Sequence, residues 1–398
     1  MAIDFTSLSV RVSGLFASHF FGVGLFLPFI PVVLGFRGLS AAEIGLVLGI
    51  GTIARIAASP LLSNLSDRTG QRRLSILIYS LAAAAFIALY FLPLGIVFLA
   101  IAVIGYMVMN APVVPLSDAY ALDVQRNSGA DYARMRLWGS AGFVVASIVG
   151  GALAAEGTSW LLVVFVGLAS LATGAVAMSL PRQRRGALPG DAADGDPDTG
   201  TDAEAEKETP FRSLWFWPLL VVLGLYQASH SAFYGFGTIY WQAMKVPDFA
   251  IGLLWAIGVT AEIALFTVAG KLSQRFDPPL FLLAAGTAAT LRWLLFPFAD
   301  SVVAMTGLQL LHGLSFGAAH LGAVAILARI VPSRWAGTGQ GLLATSIGIQ
   351  MAIGLSISGA IYEINPDWPF FVMSVVAAIG TLLTLAMTPM LRNRMAAE

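Results

Sequence analysis

The chain has 398 residues, of which 58% are hydrophobic and only 11% are charged. A soluble domain carries roughly 25% charged residues, so this composition indicates an integral membrane protein. Basic and acidic residues are equal at 22 each, which argues against nucleic acid as a partner, and the absence of cysteine excludes disulfides and cysteine-ligated metals.

Apolar runs long enough to cross a membrane follow one another along the whole chain, since a span needs about 20 mainly apolar residues. The first run is too long for a signal peptide and has no cleavage site, so we interpret it as the first span. The predicted spans, numbered 1 to 12 below, are 9–35, 41–65, 73–93, 95–122, 133–156, 159–180, 215–243, 249–272, 279–299, 301–330, 336–361 and 368–390.

A polar stretch separates the first six spans from the last six. It begins PRQRR and continues with a run rich in Asp, Glu, Gly, Pro and Thr, a composition typical of disorder. We therefore predict an N-terminal six-helix bundle at 1–180, an acidic disordered cytoplasmic linker at 181–214 and a C-terminal six-helix bundle at 215–398. Most Lys and Arg residues lie in the linker, the C-terminal tail and the loops after spans 2, 4, 8 and 10, whereas Arg37 and Lys245 lie in the opposite loops. This asymmetry predicts that both termini are cytoplasmic.

The two groups of spans repeat each other at corresponding loops. The loop after span 2 reads SNLSDRTGQRR and the loop after span 8 reads AGKLSQRFDPP. The chain entering span 5 reads RMRLWGSAG, and the chain entering span 11 reads RWAGTGQG. Repeated halves with a site at their interface are typical of secondary transporters, so we predict an all-α membrane protein built from two pseudo-symmetric bundles.

Ionisable side chains inside the spans are the main candidates for function. A charge at the bilayer centre costs ~2.5–3.5 kcal/mol on insertion scales, so a retained charge usually has a partner and a use. Span 8 carries Glu262 and span 9 carries Arg292. They form either a structural ion pair or a proton site, in which burial favours the neutral carboxyl and a nearby cation favours the charged one.

All four histidines also fall inside spans, at His19, His230, His312 and His320. Each has the alternative of being a satisfied core residue, but four of four at membrane depth favours a functional path. His312 and His320 are eight residues apart and therefore share a helix face. That spacing is too long for chelation on one helix, so neither a metal site nor a cofactor is predicted.

A second polar group joins spans 4 and 5. Asp118 follows Pro112 and Pro115, which bend span 4 and free backbone carbonyls. Asp118 and Arg136 either close the two spans as a pair or meet the polar end of a substrate, where Arg136 would clamp a carboxylate. Arg55 in span 2 is a third embedded cation, with Asp118 or the substrate as its alternative partners.

Span 7 carries an aromatic cluster of Tyr234, Tyr240 and Trp241. An interfacial belt explains Tyr240 and Trp241 equally well, because aromatic residues are enriched at membrane boundaries. Tyr234 shares a helix face with Tyr226 and His230, and this stripe suits a cavity wall that stacks on a ring.

The loop after span 2 resembles the loop signature of the major facilitator superfamily. Ser63 replaces the leading glycine of that signature, and the second copy of the loop lacks the acidic residue. The resemblance implies a conformational latch on the cytoplasmic side. The matching positions are Leu65, Asp67, Arg68, Gly70 and Arg72.

The chain is also similar, over most of its length, to the lactose permease branch of oligosaccharide and proton symporters. Asp118 and Arg136 match its sugar-binding Glu and substrate-binding Arg in spacing, and Phe143 stands where that branch has a galactose-stacking Trp. Glu262, Arg292 and His312 also have counterparts there. The coupling carboxylate of the permease is replaced by Ser315.

A phenylpropionate permease-like group resembles the chain better, through the span 7 run FYGFGTIYWQ and the pattern LHxxxFGxxH. This resemblance implies aromatic monocarboxylates as substrates. Because Ser315 cannot titrate, the proton-coupling residues are expected to be Glu262, Arg292, His312 and Asp118. The expected substrate-binding residues are Asp118, Arg136, Phe143, His19, His230, Tyr234, Tyr240, Trp241 and His320.

We therefore expect a monomeric proton symporter of a bacterial-type inner membrane that imports a small organic solute, such as an aromatic monocarboxylate. Importing one negative charge costs about 2.3 kcal/mol per 100 mV, and one co-transported proton cancels that term. The alternatives are efflux of amphipathic compounds by proton antiport, sugar or nucleoside symport, and a passive facilitator or nutrient sensor. No Walker loop or GxSxG elbow occurs, so no enzyme is predicted.

Overall fold

The computed structural model describes residues 7–93, 95–181 and 210–396, and these ranges are helical with no strand. Eleven of the helical segments are long and apolar enough to cross a membrane. The predicted linker falls almost entirely outside the described residues. The eleven segments are Leu8–Phe36, Ala41–Thr69, Arg72–Phe91, Gly95–Ser128, Tyr132–Leu153, Trp160–Ser179, Asp248–Arg275, Pro278–Phe298, Val302–Ile330, Ser333–Ile364 and Trp368–Met395, corresponding to spans 1–6 and 8–12.

Span 7 is the twelfth segment, and it is divided into two helices, Phe216–Ala228 and Ser231–Ala243. At the break, the backbone N–H of His230 bonds to the carbonyl of Gln227 instead of the carbonyl of Tyr226. Side chains satisfy the Tyr226 carbonyl: the Ser229 hydroxyl donates to it at 2.7 Å, and Nδ1 of His230 lies 3.0 Å away. An interrupted helix at membrane depth is tolerated where its backbone groups find such partners.

Spans 4 and 10 are also irregular. Span 4 consists of helices Gly95–Asn110 and Val113–Ser128, and it bends at Pro112 as the sequence predicts. Span 10 contains the helices Val302–Leu310 and Ala319–Ile330, with a π-helical turn at Gly313–Ala318 between them. π-Helical turns are rare and are often found at functional sites.

The spans form two six-helix bundles. In the first bundle, span 1 packs against spans 5 and 6, and span 3 packs against spans 4 and 6. In the second bundle, span 9 packs against spans 10 and 12, and span 7 packs against span 11. The bundles meet mainly where span 2 packs on span 11 and where span 5 packs on span 8.

The contacts between the bundles lie toward the end of the molecule at which span 1 finishes, called the outer end below. A Cβ atom on Gly45 of span 2 would lie 2.5 Å from the carbonyl oxygen of Leu355 in span 11. A Cβ atom on Gly252 of span 8 would lie 2.5 Å from the carbonyl oxygen of Ser147 in span 5. These backbones therefore touch directly, which only small residues permit.

Polar contacts join the bundles at the same end. Oε1 of Glu363, near the end of span 11, accepts a 2.9 Å hydrogen bond from the backbone N–H of Ala42 in the first turn of span 2. A carboxylate is favourable there because it faces the positive end of the helix dipole. Nε2 of Gln242 in span 7 donates to the carbonyl of Ala154 after span 5, at 3.2 Å. Gly45, Gly252, Gln242 and Glu363 together are called the outer gate.

The opposite, inner ends of these four spans stand apart. Among the described residues, no atom outside the same helix lies within 4 Å of a Cβ placed on Gly270 of span 8 or Gly341 of span 11. Leu61 and Leu65, near the inner end of span 2, are 70% and 52% exposed. We therefore interpret the structure as closed at the outer end and open at the inner end.

Candidate functional site

A buried polar network lies in the second bundle with Arg292 at its centre. The Arg292 side chain is completely buried. One of its terminal nitrogens donates to Oε1 of Gln309 at 2.5 Å, and the other lies 3.0 Å from Nδ1 of His312 and 3.4 Å from Oγ of Ser315. Spans 9 and 10 thus supply all of these groups, and the π-helical turn of span 10 holds Ser315.

The direction of one hydrogen bond determines which nitrogen of His312 carries its hydrogen. An arginine side chain can only donate, so Nδ1 of His312 accepts from Arg292 and the ring hydrogen lies on Nε2. This Nε2 is 3.9 Å from Oε2 of Glu262 in span 8. His312 is therefore neutral in this arrangement and lies between the arginine and the carboxylate.

The same reasoning applies to His230 at the break of span 7. Its Nδ1 faces the carbonyl of Tyr226 and therefore donates, which leaves Nε2 as an acceptor. The Ser315 hydroxyl lies 3.2 Å from that Nε2 and can donate to it, while accepting from Arg292. The serine hydroxyl thus connects the arginine to a second neutral histidine.

The direct contact between Glu262 and Arg292 that the sequence predicts is not formed. Within the described residues, no carboxylate oxygen lies within 4 Å of the Arg292 guanidinium, because His312 from span 10 is inserted between the two side chains. Gln309 was missed as a partner of Arg292. As a polar residue inside span 10, one turn before His312, it could have been recognised from the sequence.

Asp118 and Arg136 form a second polar group in the first bundle. The hydroxyl of Tyr132 donates to Oδ1 of Asp118 at 2.9 Å, and Nε of Arg136 lies 3.9 Å from the same oxygen. The Arg136 guanidinium carbon lies 4.2 Å from the ring centre of Phe20 in span 1. About a third of each charged side chain remains exposed, so this pair is loose and accessible.

The two polar groups lie on spans that pack against each other at the interface between the bundles. Arg136 belongs to span 5 and Glu262 to span 8, and the side chain of Glu262 is 21% exposed. The convergence of five ionisable residues from both bundles on one cavity stays a prediction. The five residues are Asp118, Arg136, Glu262, Arg292 and His312.

Arg55 lies halfway along span 2 and is exposed. Gly51, one turn earlier, faces Met107 of span 4, and Ile56 faces Gly348 of span 11. Arg55 therefore points between spans 4 and 11, toward the gap between the bundles. It adds a third positive charge to this region.

Comparison with known proteins identifies the family. The family model described as "MFS_1 like family" matches residues 10–373. The chain belongs to this family.

Relatives and solved structures agree with this membership. The "Probable 3-phenylpropionic acid transporter" of Escherichia coli (strain K12) is 29% identical over 94% of this chain and 96% of that protein. A maltose permease of Geobacillus stearothermophilus is 28% identical over 92% of each chain. The fold matches the crystal structure of nucleoside transporter NupG with a TM-score of 0.80 at 17% identity, over 96% of this chain and 99% of that one. The predicted superfamily, its phenylpropionate permease-like group and its fold are confirmed, and the protein is a multi-pass membrane transporter of a small molecule rather than an enzyme.

Some predicted site residues of the transporter lie in the packed core of the second bundle. The hydroxyl of Tyr240 donates to Oδ1 of Asp367 at 2.6 Å. Trp241 is 1% exposed, and its ring stacks on Phe296 with 5.5 Å between ring centres. Neither side chain is therefore exposed to the gap between the bundles in this structure.

Other predicted residues lie beside the polar groups. His19 is buried, and its ring contacts Phe20, which in turn stacks on Arg136. Phe143 is only 9% exposed in the middle of span 5. Tyr234 is partly buried, with its ring 6.0 Å from that of His230. The stripe predicted on span 7 is interrupted by the helix break.

The predicted latch of the transporter forms contacts within the first bundle. Gly70 ends span 2 in the left-handed conformation, with φ of +65°, and Arg68 lies in the last turn before it. Nε of Arg72 lies 3.0 Å from Oδ1 of Asp67, and its NH1 lies 3.2 Å from Oδ2 of Asp123 in span 4. These ion pairs connect spans 2, 3 and 4.

Proposed function

We propose that this transporter is a proton symporter that imports a monocarboxylate, and most specifically an aromatic one. The observation that carries the proposal is the excess of positive charge between and behind the bundles. Within the described part of the chain, Arg55, Arg136 and Arg292 are accompanied there by two carboxylates, Asp118 and Glu262. An uncompensated positive charge at membrane depth favours an anionic solute over a neutral one.

Glu262 is the proton carrier in this mechanism. His312 cannot accept a second proton while Arg292 donates to its Nδ1, and Ser315 does not titrate. Protonation of Glu262 leaves the positive charge of Arg292 without its distant counter-charge, which raises the affinity for an anion. By linkage, a bound anion raises the affinity of Glu262 for a proton to the same degree.

Arg136 is the proposed carboxylate clamp. Its guanidinium is held by the ring of Phe20 and only loosely by Asp118 at 3.9 Å, so its donors are available to a bidentate ligand. Phe143 of span 5 and Tyr234 of span 7 belong to different bundles and are proposed to flank the aromatic part of the solute. The name of the Escherichia coli relative, a probable 3-phenylpropionic acid transporter, supports this substrate class.

The orientation is also part of the proposal. The loops with most of the basic residues lie at the inner end, which places this end and both termini on the cytoplasmic side of a bacterial inner membrane. The structure then represents an inward-open monomer, from which the solute and the proton leave into the cytoplasm.

The decisive experiment replaces Glu262 by Gln in the purified protein reconstituted in liposomes. Accumulation of labelled 3-phenylpropionate driven by an acidic exterior should fall at least roughly tenfold, because the variant cannot carry the proton. Counterflow at equal pH on both sides should persist, since it requires no net proton movement. Glu156→Gln, an exposed loop carboxylate, is the matched control and should behave as the wild type does.

Two outcomes contradict the proposal at different points. Unchanged accumulation in Glu262→Gln assigns the proton to another group. Stabilisation of the wild-type protein by maltose but not by 3-phenylpropionate in a thermal-shift assay assigns the substrate to sugars, the class named for the Geobacillus stearothermophilus relative.

A further inference from the structure

A pocket separate from the central network lies at the inner end of the second bundle. It has a volume of about 220 Å³ and lies between the ends of spans 8 and 10 and the start of span 9. His320 marks its deep side, where it contacts Phe266, one turn of span 8 beyond Glu262. The lining residues that matter below are Phe276, Phe281, His320, Val324, Ala325 and Arg329.

The polar part of this pocket is positively charged. Arg329 lies in the last turn of span 10, and no carboxylate oxygen lies within 4 Å of its guanidinium among the residues described. Asp277 lies at the rim between spans 8 and 9, but Nε of Arg392 binds its Oδ2 at 2.6 Å. Asp277 is therefore already paired, and the charge of Arg329 is left for a ligand at the inner end of the pocket.

The remaining walls are apolar and continue onto the outer surface of the bundle. Phe276 and Phe281 line the pocket, and Phe276 is 42% exposed. Leu280, next to Phe281, is 45% exposed. An aliphatic chain could therefore leave the pocket along an exposed apolar surface of the bundle.

We propose that this pocket binds an anionic phospholipid. The headgroup phosphate lies against Arg329, and the start of one acyl chain packs on Phe276 and Phe281. A basic pocket between the ends of membrane helices is suited to an anionic headgroup, and the aromatic walls favour an amphiphile over a free phosphate ion. The occupied site would connect spans 8, 9 and 10 near the ends that stand apart in the inward-open state.

Native mass spectrometry of the full-length protein tests this proposal. The wild type, given equal amounts of phosphatidylglycerol and phosphatidylcholine, should retain one phosphatidylglycerol preferentially. Arg329→Gln should weaken that retention about fivefold, the effect of one basic side chain near an anionic headgroup. Ala325→Trp fills the pocket without changing charge and should weaken it as well. Arg134→Gln removes an exposed arginine from the first bundle and should have no effect.

Each of the following results would overturn the lipid proposal in a different way. Equal retention of the two lipids, or equal losses in Arg329→Gln and Arg134→Gln, would show that the lipid binds only through general charge. Displacement of phosphatidylglycerol from the wild type by inorganic phosphate alone would show a small-anion site and overturn the lipid proposal. Retention unchanged in Ala325→Trp would place the lipid elsewhere.

Discussion

Ser315 is a neutral hydrogen-bonding residue beside Arg292 in the second bundle. Its hydroxyl accepts from Arg292 and donates to His230, so it satisfies both neighbours without carrying a charge. A carboxylate there would be a direct counter-ion of Arg292. With serine, the nearest titratable acid is Glu262, which reaches the arginine only through His312.

Ser315→Ala should therefore destabilise the protein. The substitution leaves Nε2 of His230 without its donor in a fully buried position, and an unsatisfied buried group costs about 1–3 kcal/mol. The free energy of unfolding in detergent should fall by that amount. Ser358→Ala is the matched control: Ser358 is equally buried, but its hydroxyl has no hydrogen-bond partner among the described residues, so its loss should be neutral or stabilising. Equal destabilisation by both substitutions would mean that the Ser315 bonds contribute nothing.

Residue identity alone was sufficient to find the charged and titratable members of this network, whereas Gln309 was missed. Glu262, Arg292 and His312 are conspicuous because charged and titratable groups are rare in apolar spans. The order of their contacts could not be predicted, because it depends on how spans 8, 9 and 10 are rotated about their axes. The same limitation applies to the positions of Tyr240 and Trp241, because an aromatic side chain suits a cavity wall, a membrane boundary or a core equally well.

At the scale of the element, the irregular turns of spans 7 and 10 position the site. The π-helical turn begins at Gly313, directly after His312. A Cβ on Gly313 would lie 2.6 Å from the carbonyl oxygen of Ala261, the residue before Glu262. The close approach of these two backbones is what brings His312 to Glu262.

Gly313→Ala should push spans 8 and 10 apart at this point. We expect the free energy of unfolding to fall by about 1–3 kcal/mol, as for other overpacked contacts, and pH-driven uptake to fall with it. Gly307→Ala is the control in the same span, because no described atom outside its own helix lies within 4 Å of the added Cβ. Because alanine has a higher helix propensity than glycine, this control should raise the free energy of unfolding by up to about 1 kcal/mol. A loss of uptake in Gly307→Ala equal to that in Gly313→Ala would contradict the role of the close approach.

The elements themselves were largely predictable, and their interruptions only in part. Long apolar runs predict the spans, and Pro112 predicts the bend of span 4 because proline cannot donate a helical hydrogen bond. The break of span 7 at Ser229 and His230 contains no proline or glycine, so the local sequence does not predict it. It is maintained by side chains that bond to the Tyr226 carbonyl and by tertiary partners of the same residues, such as Ser315.

At the scale of the whole molecule, the repeated loops predict two bundles but not which end of the interface is closed. Both ends contain small residues at corresponding places, such as Gly45 and Gly341 in spans 2 and 11. The difference is visible only in the structure, where the outer gate joins the bundles and Gly341 faces open space. In alternating access, the outer gate must separate when the inner end closes.

Gly45→Ala should shift this equilibrium away from the inward-open state. The added methyl group would lie 2.5 Å from the Leu355 carbonyl, which belongs to the opposite bundle, so the clash exists only while the outer gate is closed. A penalty of about 1–3 kcal/mol changes the ratio of the two states from several-fold to about a hundredfold. Because the chain has no cysteine, spin labels can be placed at Glu156→Cys and Ile364→Cys, two exposed outer positions in different bundles.

The distance between these labels, measured by double electron–electron resonance, should lengthen in Gly45→Ala. The matched control is Gly341→Ala, whose new methyl group meets nothing in the inward-open state and should leave the outer distance as in the wild type or shorten it. If both substitutions lengthen the distance equally, the closure of the outer end does not depend on the backbone contact at Gly45. If neither changes it, the polar contacts of Gln242 and Glu363 are sufficient to hold the outer gate closed.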